Sequence, residues 1–291
     1  LECPQVISPY EQFVRDLLTA QERAAADSGD FPPRVQAPVA DHAPRVLVFS
    51  PHPDDECIIG ALPLRLRHEA GVEVVNVAVT QGSKVDRRAA RGEELEAACA
   101  HLGFRSVQTV PGGLTGIKRK TREEEPNRWA DAVARIAEIL RHEQPVAIFV
   151  PHAEDWNSTH IGTHWLVMDA LAAEWPAGRS LVVIETEYWG QLAQPNLLVG
   201  SSLEQVAWLV EATSLHVGEV ARNPYHLLLP AWMQDNVRRG AEVVGGQGGA
   251  VPAFSFGTLY RVRGWQGGHV VETAPQTAIL DLDFDVRDVI N

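Results

Sequence analysis

From residue 45 to about residue 185 the chain alternates short apolar runs with longer stretches of helix formers, and that rhythm limits the fold more than any other feature. Runs at 45–50, 73–80, 106–110, 146–150 and 181–185 read as strands, and 57–70, 86–102, 127–142 and 161–173 read as helices. Repeated β-α units of this length predict an α/β fold with a mainly parallel sheet and helices on both faces. The strand runs are apolar without alternation, as expected for strands covered on both sides. Residues 1–44 form an N-terminal addition, with Tyr10, Phe13, Val14, Leu17 and Leu18 at helical spacing over roughly 9–27 and a Pro-rich connector over 32–44. Residues 45–291 are expected to form one domain whose last part, 200–291, is a looser C-terminal elaboration. That part holds helix candidates at 203–219 and 232–243, a Gly-rich surface loop at 245–249 and a strand at 256–263.

Composition removes several function classes. The chain has 291 residues and a formal net charge of −13, which disfavours nucleic acid or an anionic membrane as the main partner. No apolar stretch approaches the length of a membrane span, and no signal-peptide pattern is present, so a cytoplasmic protein is expected unless a leader has been cleaved. Cys3, Cys57 and Cys99 have neither metal-type spacing nor the even count of a disulfide framework.

The first strand runs directly into Pro51-His52-Pro53-Asp54-Asp55-Glu56. An imidazole and two adjacent carboxylates at a strand's C-terminal end occupy the place where open α/β sheets bind ligands. Such a cluster is costly to desolvate unless it holds a metal or does chemistry. Asp capping of the following helix explains one such residue, but neither the His nor the second Asp. His52 and Asp55 are close enough in sequence for one tight turn to aim both at the same ion. A catalytic zinc usually takes a third protein ligand, and the polar segment 151–160 after the strand 146–150 supplies His160, at the start of the next helix. His164, four residues on and on the same helical face, is the alternative. Two imidazoles and a carboxylate suit zinc or a similar first-row ion. Asp54, adjacent to a ligand but not needed as one, is the natural general base for a metal-activated water attacking an amide or ester.

These residues resemble the zinc-dependent N-acetylglucosaminyl deacetylases of the PIG-L/LmbE-like family. The resemblance rests on the Pro51–Glu56 hexapeptide and on Thr80-Gln81-Gly82. It also rests on Arg91-Gly92-Glu93-Glu94-Leu95 leading to Leu102-Gly103, and on the 155–160 segment; it spans roughly 45–190. It implies a Rossmann-like fold, one zinc ion per subunit, removal of an acetyl group from a glucosamine 2-amino group, His52 and Asp55 as ligands and Asp54 as base. The second motif departs from the family's usual His-Pro-Asp-His: Asn157-Ser158-Thr159-His160 stands here, so His160 keeps the ligand place while Asn157 cannot carry a proton. Another acid must serve, and His152, His164, His216 and His269 are the candidates. The diacetylchitobiose and N-acetylglucosamine deacetylase branch supplies a His from near its C-terminus, which maps to His269. The stretches 223–225 and 235–240 are similar to that branch. Asp54, once protonated, is an alternative donor to the nitrogen.

The remaining candidates have plain structural readings beside functional ones. Arg91 holds a sugar or phosphate oxygen, or forms a salt bridge on a solvated helix. Tyr188 and Trp189 stack on a sugar ring, or pack in the core. His152 touches substrate, or is a satisfied loop histidine; His216 reads as an ordinary helix-face residue. The charged run 118–125 is a solvated loop or a lid. The function expected is a zinc-dependent hydrolase acting on a small N-acetylated amino sugar, in a homo-oligomer such as a trimer or hexamer, with no nucleic-acid or membrane partner. The competing functions are an amidase for a larger glycoconjugate (a thiol conjugate or antibiotic sugar) and a catalytically inactive, metal-dependent sugar-binding protein.

Overall fold

The computed structural model describes residues 7–26, 31–32 and 34–290; Cys3, Asp27 and Pro33, which figured in the readings above, lie outside them. Helix α1 (Pro9–Ala26) is followed by β1 (Arg45–Ser50), α2 (Asp55–Ile58), α3 (Ala61–His68), β2 (Glu73–Ala78), α4 (Arg88–Leu102) and β3 (Arg105–Gln108). Then come α5 (Arg119–Glu124), α6 (Pro126–Glu143), β4 (Ala147–Pro151), α7 (Ser158–Glu174), β5 (Leu181–Thr186), β6 (Leu197–Ser201), α8 (Leu203–Ser214) and α9 (Val217–Val220). The chain ends with α10 (Leu229–Val243), β7 (Phe256–Gln266), β8 (His269–Glu272) and β9 (Ile279–Leu280). The sheet order is β3-β2-β1-β4-β5-β7-β6-β9, with β8 paired to β7. From β3 to β5 every pairing is parallel; β7 joins antiparallel to β5 and carries β6 on its other edge. Residues 197–280 therefore extend the same sheet.

Alternation along β1 shows how the layers form. Val46 and Val48 face one core with Leu62 and Leu66 of α3, Leu95 and Leu102 of α4 and Leu209 of α8. Leu47 and Phe49 face the other, with Ile136 and Leu140 of α6 and Val167 and Leu171 of α7. Burial on both faces is what a strand without polar alternation requires. Arg65, fully buried in α3, keeps its charge at tolerable cost by donating to Glu69 and to the carbonyls of Gly200, Asp281, Leu282 and Phe284. That ties the last residues of the chain to the first core.

Several boundaries differ from expectation for physical reasons. The helix expected over 57–70 breaks in two at Gly60, whose φ of 90° is outside the helical region. The helix expected over 203–219 also breaks, leaving His216 in the gap between α8 and α9. The 118–125 run is the short helix α5, docked on α7 by a two-bond contact of Arg122 with Asp169, at 2.8 Å each. Helix α1 has the expected apolar stripe but buries none of its residues. Strands β6, β8 and β9 have no counterpart in the sequence reading.

The order 3-2-1-4-5 reverses direction between β1 and β4, so the chain leaves both strands in opposite directions and opens a crevice at their C-terminal ends. The hexapeptide follows β1 there, and the 152–160 segment follows β4. The wall of that crevice depends on Gly162 of α7: a Cβ at this position would sit 2.5 Å from the Ile117 carbonyl oxygen and 2.7 Å from the Lys118 Cα. Helix propensity favours Gly162→Ala by up to ~1 kcal/mol, whereas forcing a main-chain shift costs about 1–3 kcal/mol. Gly162→Ala should therefore be net destabilising in denaturant unfolding; a stabilised variant would show that the 114–118 loop does not lie against α7.

Candidate metal centre and active site

The turn after β1 is held by its own acid. The His52 N–H donates to Asp55 Oδ2 at 2.8 Å, which aims the Asp55 carboxylate back over the turn. Asp54 adopts φ 115° at the start of α2 and makes no side-chain cap bond, so helix capping does not account for it. His160 lies in the first turn of α7, and Asn157 is the cap of that helix, its Oδ1 accepting from the Thr159 N–H at 2.8 Å. These elements bring three groups together. His52 Nδ1 is 3.2 Å from His160 Nε2 and 3.4 Å from Asp55 Oδ2, and His160 Nε2 is 3.3 Å from Asp55 Oδ2. On the far side of the ring, Asp155 Oδ1 is 3.6 Å from His160 Nδ1, while Asp155 also accepts from the Asn157, Trp189 and Gly190 N–H groups. At that separation Asp155 acts on the ring by its charge, and His160 Nδ1 has no hydrogen-bond partner among the described residues. Tyr188 packs edge-on against the same ring, with centroids 4.9 Å apart.

The electrostatics suit a cation. Burial alone would raise the pKa of Asp55, but His160 and His52 outweigh it and hold the carboxyl well below its usual range. Burial would lower His160, and Asp55 with Asp155 overcomes that, placing it at about 10. Asp54 goes the other way, pushed up to about 8 by burial and by the neighbouring Asp55, against the opposing pull of His216, Tyr225 and Arg91. A buried ionised acid flanked by two imidazole nitrogens, all within 4.8 Å of one another, matches the donor set of a first-row divalent ion. The group therefore fits a metal.

Asp54 is gripped from behind by residues that the sequence reading did not assign. The Tyr225 hydroxyl donates to Asp54 Oδ2 at 2.7 Å, and Glu56 Oε2 accepts from the Asp54 N–H at 3.0 Å. Glu56 Oε1 in turn lies 2.6 Å from His216 Nε2, with both residues fully buried. His216 is thus no helix-face residue. Glu56, Cys57 and His216 also come within metal-ligating distance of one another, but Glu56 and His216 already neutralise each other, and burial and Glu56 push the Cys57 thiol well above its ordinary value. A thiol held protonated is a poor metal ligand, which makes this second group the weaker metal candidate. Arg91 donates to the Pro53 carbonyl at 2.8 Å, 4.0 Å from Asp54 Oδ2 and 3.8 Å from Glu219.

His52, Asp54, Asp55, Arg91, Asn157 and Trp189 line one cleft of about 550 Å³. Tyr188 stands behind His160 instead of on the cleft wall. His152, His164 and His269 are on a different cleft, of about 680 Å³. There His152 Nε2 meets the Gly190 carbonyl at 2.9 Å and His164 Nδ1 the Pro151 carbonyl at 2.9 Å. Burial lowers His164 to about 4, so it is neutral, and it is not part of the His52–Asp55 group. Within one chain, then, the structure does not bring His152 or His269 to the triad.

Because His160 is placed at about 10 and Asp54 at about 8 without an ion, and a metal ligand must be deprotonated, uptake should expel at least one proton per ion at pH 8. Calorimetry of zinc binding in buffers of different ionisation enthalpy measures this. Uptake without proton release would contradict the assignment of His160 as a ligand.

Comparison with known proteins bears on the whole assembly. The PIG-L family model, described as GlcNAc-PI de-N-acetylase, matches residues 47–171. The search of curated proteins returns no match. Among solved structures, N,N'-diacetylchitobiose deacetylase from Pyrococcus horikoshii is similar over 94% of this chain and 99% of its own, with 17% identity and TM-score 0.56. GalB, the 4-carboxy-2-hydroxymuconate hydratase from Pseudomonas putida KT2440, is similar over 75% and 95%, with 16% identity and TM-score 0.54. A zinc-inhibited form of teicoplanin deacetylase Orf2 is similar over 74% and 96%, with 17% identity and TM-score 0.52. At such identities the likenesses establish the fold, and the same fold carries both deacetylases and a hydratase. The family match covers residues 47–171, a segment that includes the strand-end motif and His160, and over that segment the chain is similar to the PIG-L family.

Proposed function

We propose that the chain is a zinc-dependent hydrolase that removes the N-acetyl group from a small N-acetylglucosamine-containing sugar. The observation that carries this reading is Asp54, a carboxylate outside the ligand group, held beside His52, Asp55 and His160 on the floor of an open cleft. A pure sugar receptor has no use for such a base. The PIG-L match and the deacetylases among the structural neighbours support the same reaction class.

His52, Asp55 and His160 would hold the ion. When bound, it supplies Lewis acidity to the acyl carbonyl and the attacking water. Asp54 accepts the water's proton while Tyr225 restrains its Oδ2 oxygen, leaving Oδ1 as the free acceptor. The amide nitrogen must gain a proton as its bond to the acyl carbon breaks, and Asp54 delivers it, so one water is consumed and acetate and a free amine leave. Asn157, already committed to capping α7, contributes polarity to the sugar site with Arg91 and Trp189. His269 enters this scheme only from a neighbouring subunit of a homo-oligomer, because its own cleft is the second one.

An amidase acting on a larger glycoconjugate is the second reading. It is favoured by Trp156, 82% exposed on the loop that leads to His160 and free to meet an aglycone outside the cleft. Acetate release from N-acetylglucosamine, its β-1,4-linked disaccharide and conjugated glycosides, with metal-free protein as control, separates the two.

Asp54→Asn should keep stoichiometric metal and fold while losing about 10²–10⁴ of kcat, the usual contribution of a general base. Near-normal turnover by this variant, on any substrate that the wild type deacetylates, would remove Asp54 from the mechanism.

A further inference from the structure

We propose that the second cleft, bounded by α7, β5, β7 and β8, is a non-catalytic saccharide site that takes a neutral, hydroxyl-rich ring apart from the metal cleft. Such a site stands whether or not the metal cleft deacetylates a sugar. Alternation along β5 turns Glu185 to the side of Leu181 and Val183, the face of the sheet that α6 and α7 cover. There it meets His164 of α7 and His152 from the loop after β4, and all three are buried.

Glu185 is an exception among the buried acids. Among the described residues Asp55, Glu56, Glu143, Asp155, Glu187 and Glu219 each accept at least one hydrogen bond, and the Glu185 carboxylate accepts none. Arg263 Nη1 stands 3.6 Å from it, beyond hydrogen-bond reach, and His164 Nδ1, at 3.8 Å, donates instead to the Pro151 carbonyl. Burial accordingly holds Glu185 above the ordinary carboxyl value, with Arg263 opposing. A buried acid left without donors is costly, and the cost falls when a donor arrives. Its oxygens are not sealed by protein but open on the cleft. The two histidines are likewise half-spent. His164 is neutral and uses Nδ1–H, which leaves Nε2 as a lone-pair acceptor; His152 uses Nε2 on the Gly190 carbonyl, which leaves Nδ1 open.

The arrangement selects the ligand. The three side chains do not bring ligand atoms within 4.8 Å of one another, so they do not close on one ion. The lining carries Glu154, Asp169 and Glu185 against Arg261 and Arg263, and this mixture of signs disfavours a strongly charged ligand of either kind. A hydroxyl both donates and accepts. Neighbouring hydroxyls of one ring therefore donate to Glu185 and accept from Arg263, filling the gap that the two side chains leave between them. Half-buried Trp165, with Met168, Leu192 and Val270, supplies apolar surface for the ring's C–H face. An apolar-walled cavity of about 680 Å³ with a few unspent polar groups is the usual form of a small-molecule site.

The test titrates metal-loaded Asp54→Asn protein, used to suppress turnover, with N-acetylglucosamine, its β-1,4-linked disaccharide, cellobiose, glucosamine and glucuronate. Indole N–H resonances, assigned with Trp165→Phe, Trp189→Phe and Trp265→Phe, report the two clefts separately: Trp165 and Trp265 line the second, Trp189 the metal cleft. At least one neutral saccharide should shift Trp165 and Trp265 saturably. Glu185→Ala should weaken that response roughly tenfold, the share of a hydrogen bond to a charged group, and leave the Trp189 response unchanged. Glu185→Gln, which keeps the side chain's volume in β5, covers a failure of the alanine variant to fold and should weaken the same response severalfold. Three results would each overturn the site: no response to any neutral saccharide, a response to glucosamine or glucuronate alone, or a neutral-saccharide response that neither Glu185 variant weakens. A protein that passes this test yet releases no acetate from any sugar would lose the deacetylase reading and keep the second site.

Discussion

An ionised carboxylate buried between two imidazoles shapes everything around it. Asp55 is 2% exposed and His160 is fully buried, so their charges are screened by one another and by Asp155 rather than by water. Desolvated charges of this kind are tolerated only when the pairing is close and the remaining lone pairs are satisfied. The fold brings these charges together by placing the C-terminal ends of β1 and β4 side by side, so that a turn and a helix start converge on the same few ångströms. A divalent ion in their midst would replace the proton that His160 otherwise carries and would complete the charge balance.

The second consequence is the separation of the two adjacent aspartates. They differ by one position in the chain, yet one faces the imidazoles and is held ionised, while the other is turned aside by φ 115° and pushed up in pKa by burial and by the first. Glu56 secures that turned-aside conformation through the Asp54 N–H, His216 secures Glu56, and Tyr225 fixes one carboxylate oxygen. Strain at a non-glycine residue persists only where surroundings over-determine it, and here three residues from two distant parts of the chain do so. Two carboxylates whose environments drive their pKa values apart are the usual way for one site to hold both a ligand and a base.

Much of this was legible in the sequence because it is local or follows from α/β topology. The His52–Asp55 turn is four residues long, and the parallel strands announce themselves as unbroken apolar runs. His160 could be inferred because a helix start after one strand end meets the turn after its neighbour. The supports of Asp54 were not legible: His216 and Tyr225 are 160 and 171 residues from their partners, and no local pattern marks a contact of that span. His152 misled for a geometric reason. A residue just past a strand tip can turn either way, and this one turns to the Gly190 carbonyl, with Nε2 3.9 Å from Asp155, and lines the second cleft together with His269 of β8. The C-terminal strands were under-read because they pair out of sequence order, β7 lying antiparallel between β5 and β6 while β9 joins β6 in parallel.

The account stands on one ion bound between β1 and β4. Crystals of protein purified without chelator and supplied with zinc, measured on both sides of the zinc absorption edge, test it directly. The prediction is a single anomalous peak per chain within bonding distance of His52 Nδ1, Asp55 Oδ2 and His160 Nε2. An empty map there, or a peak only among Glu56, Cys57 and His216, would contradict it.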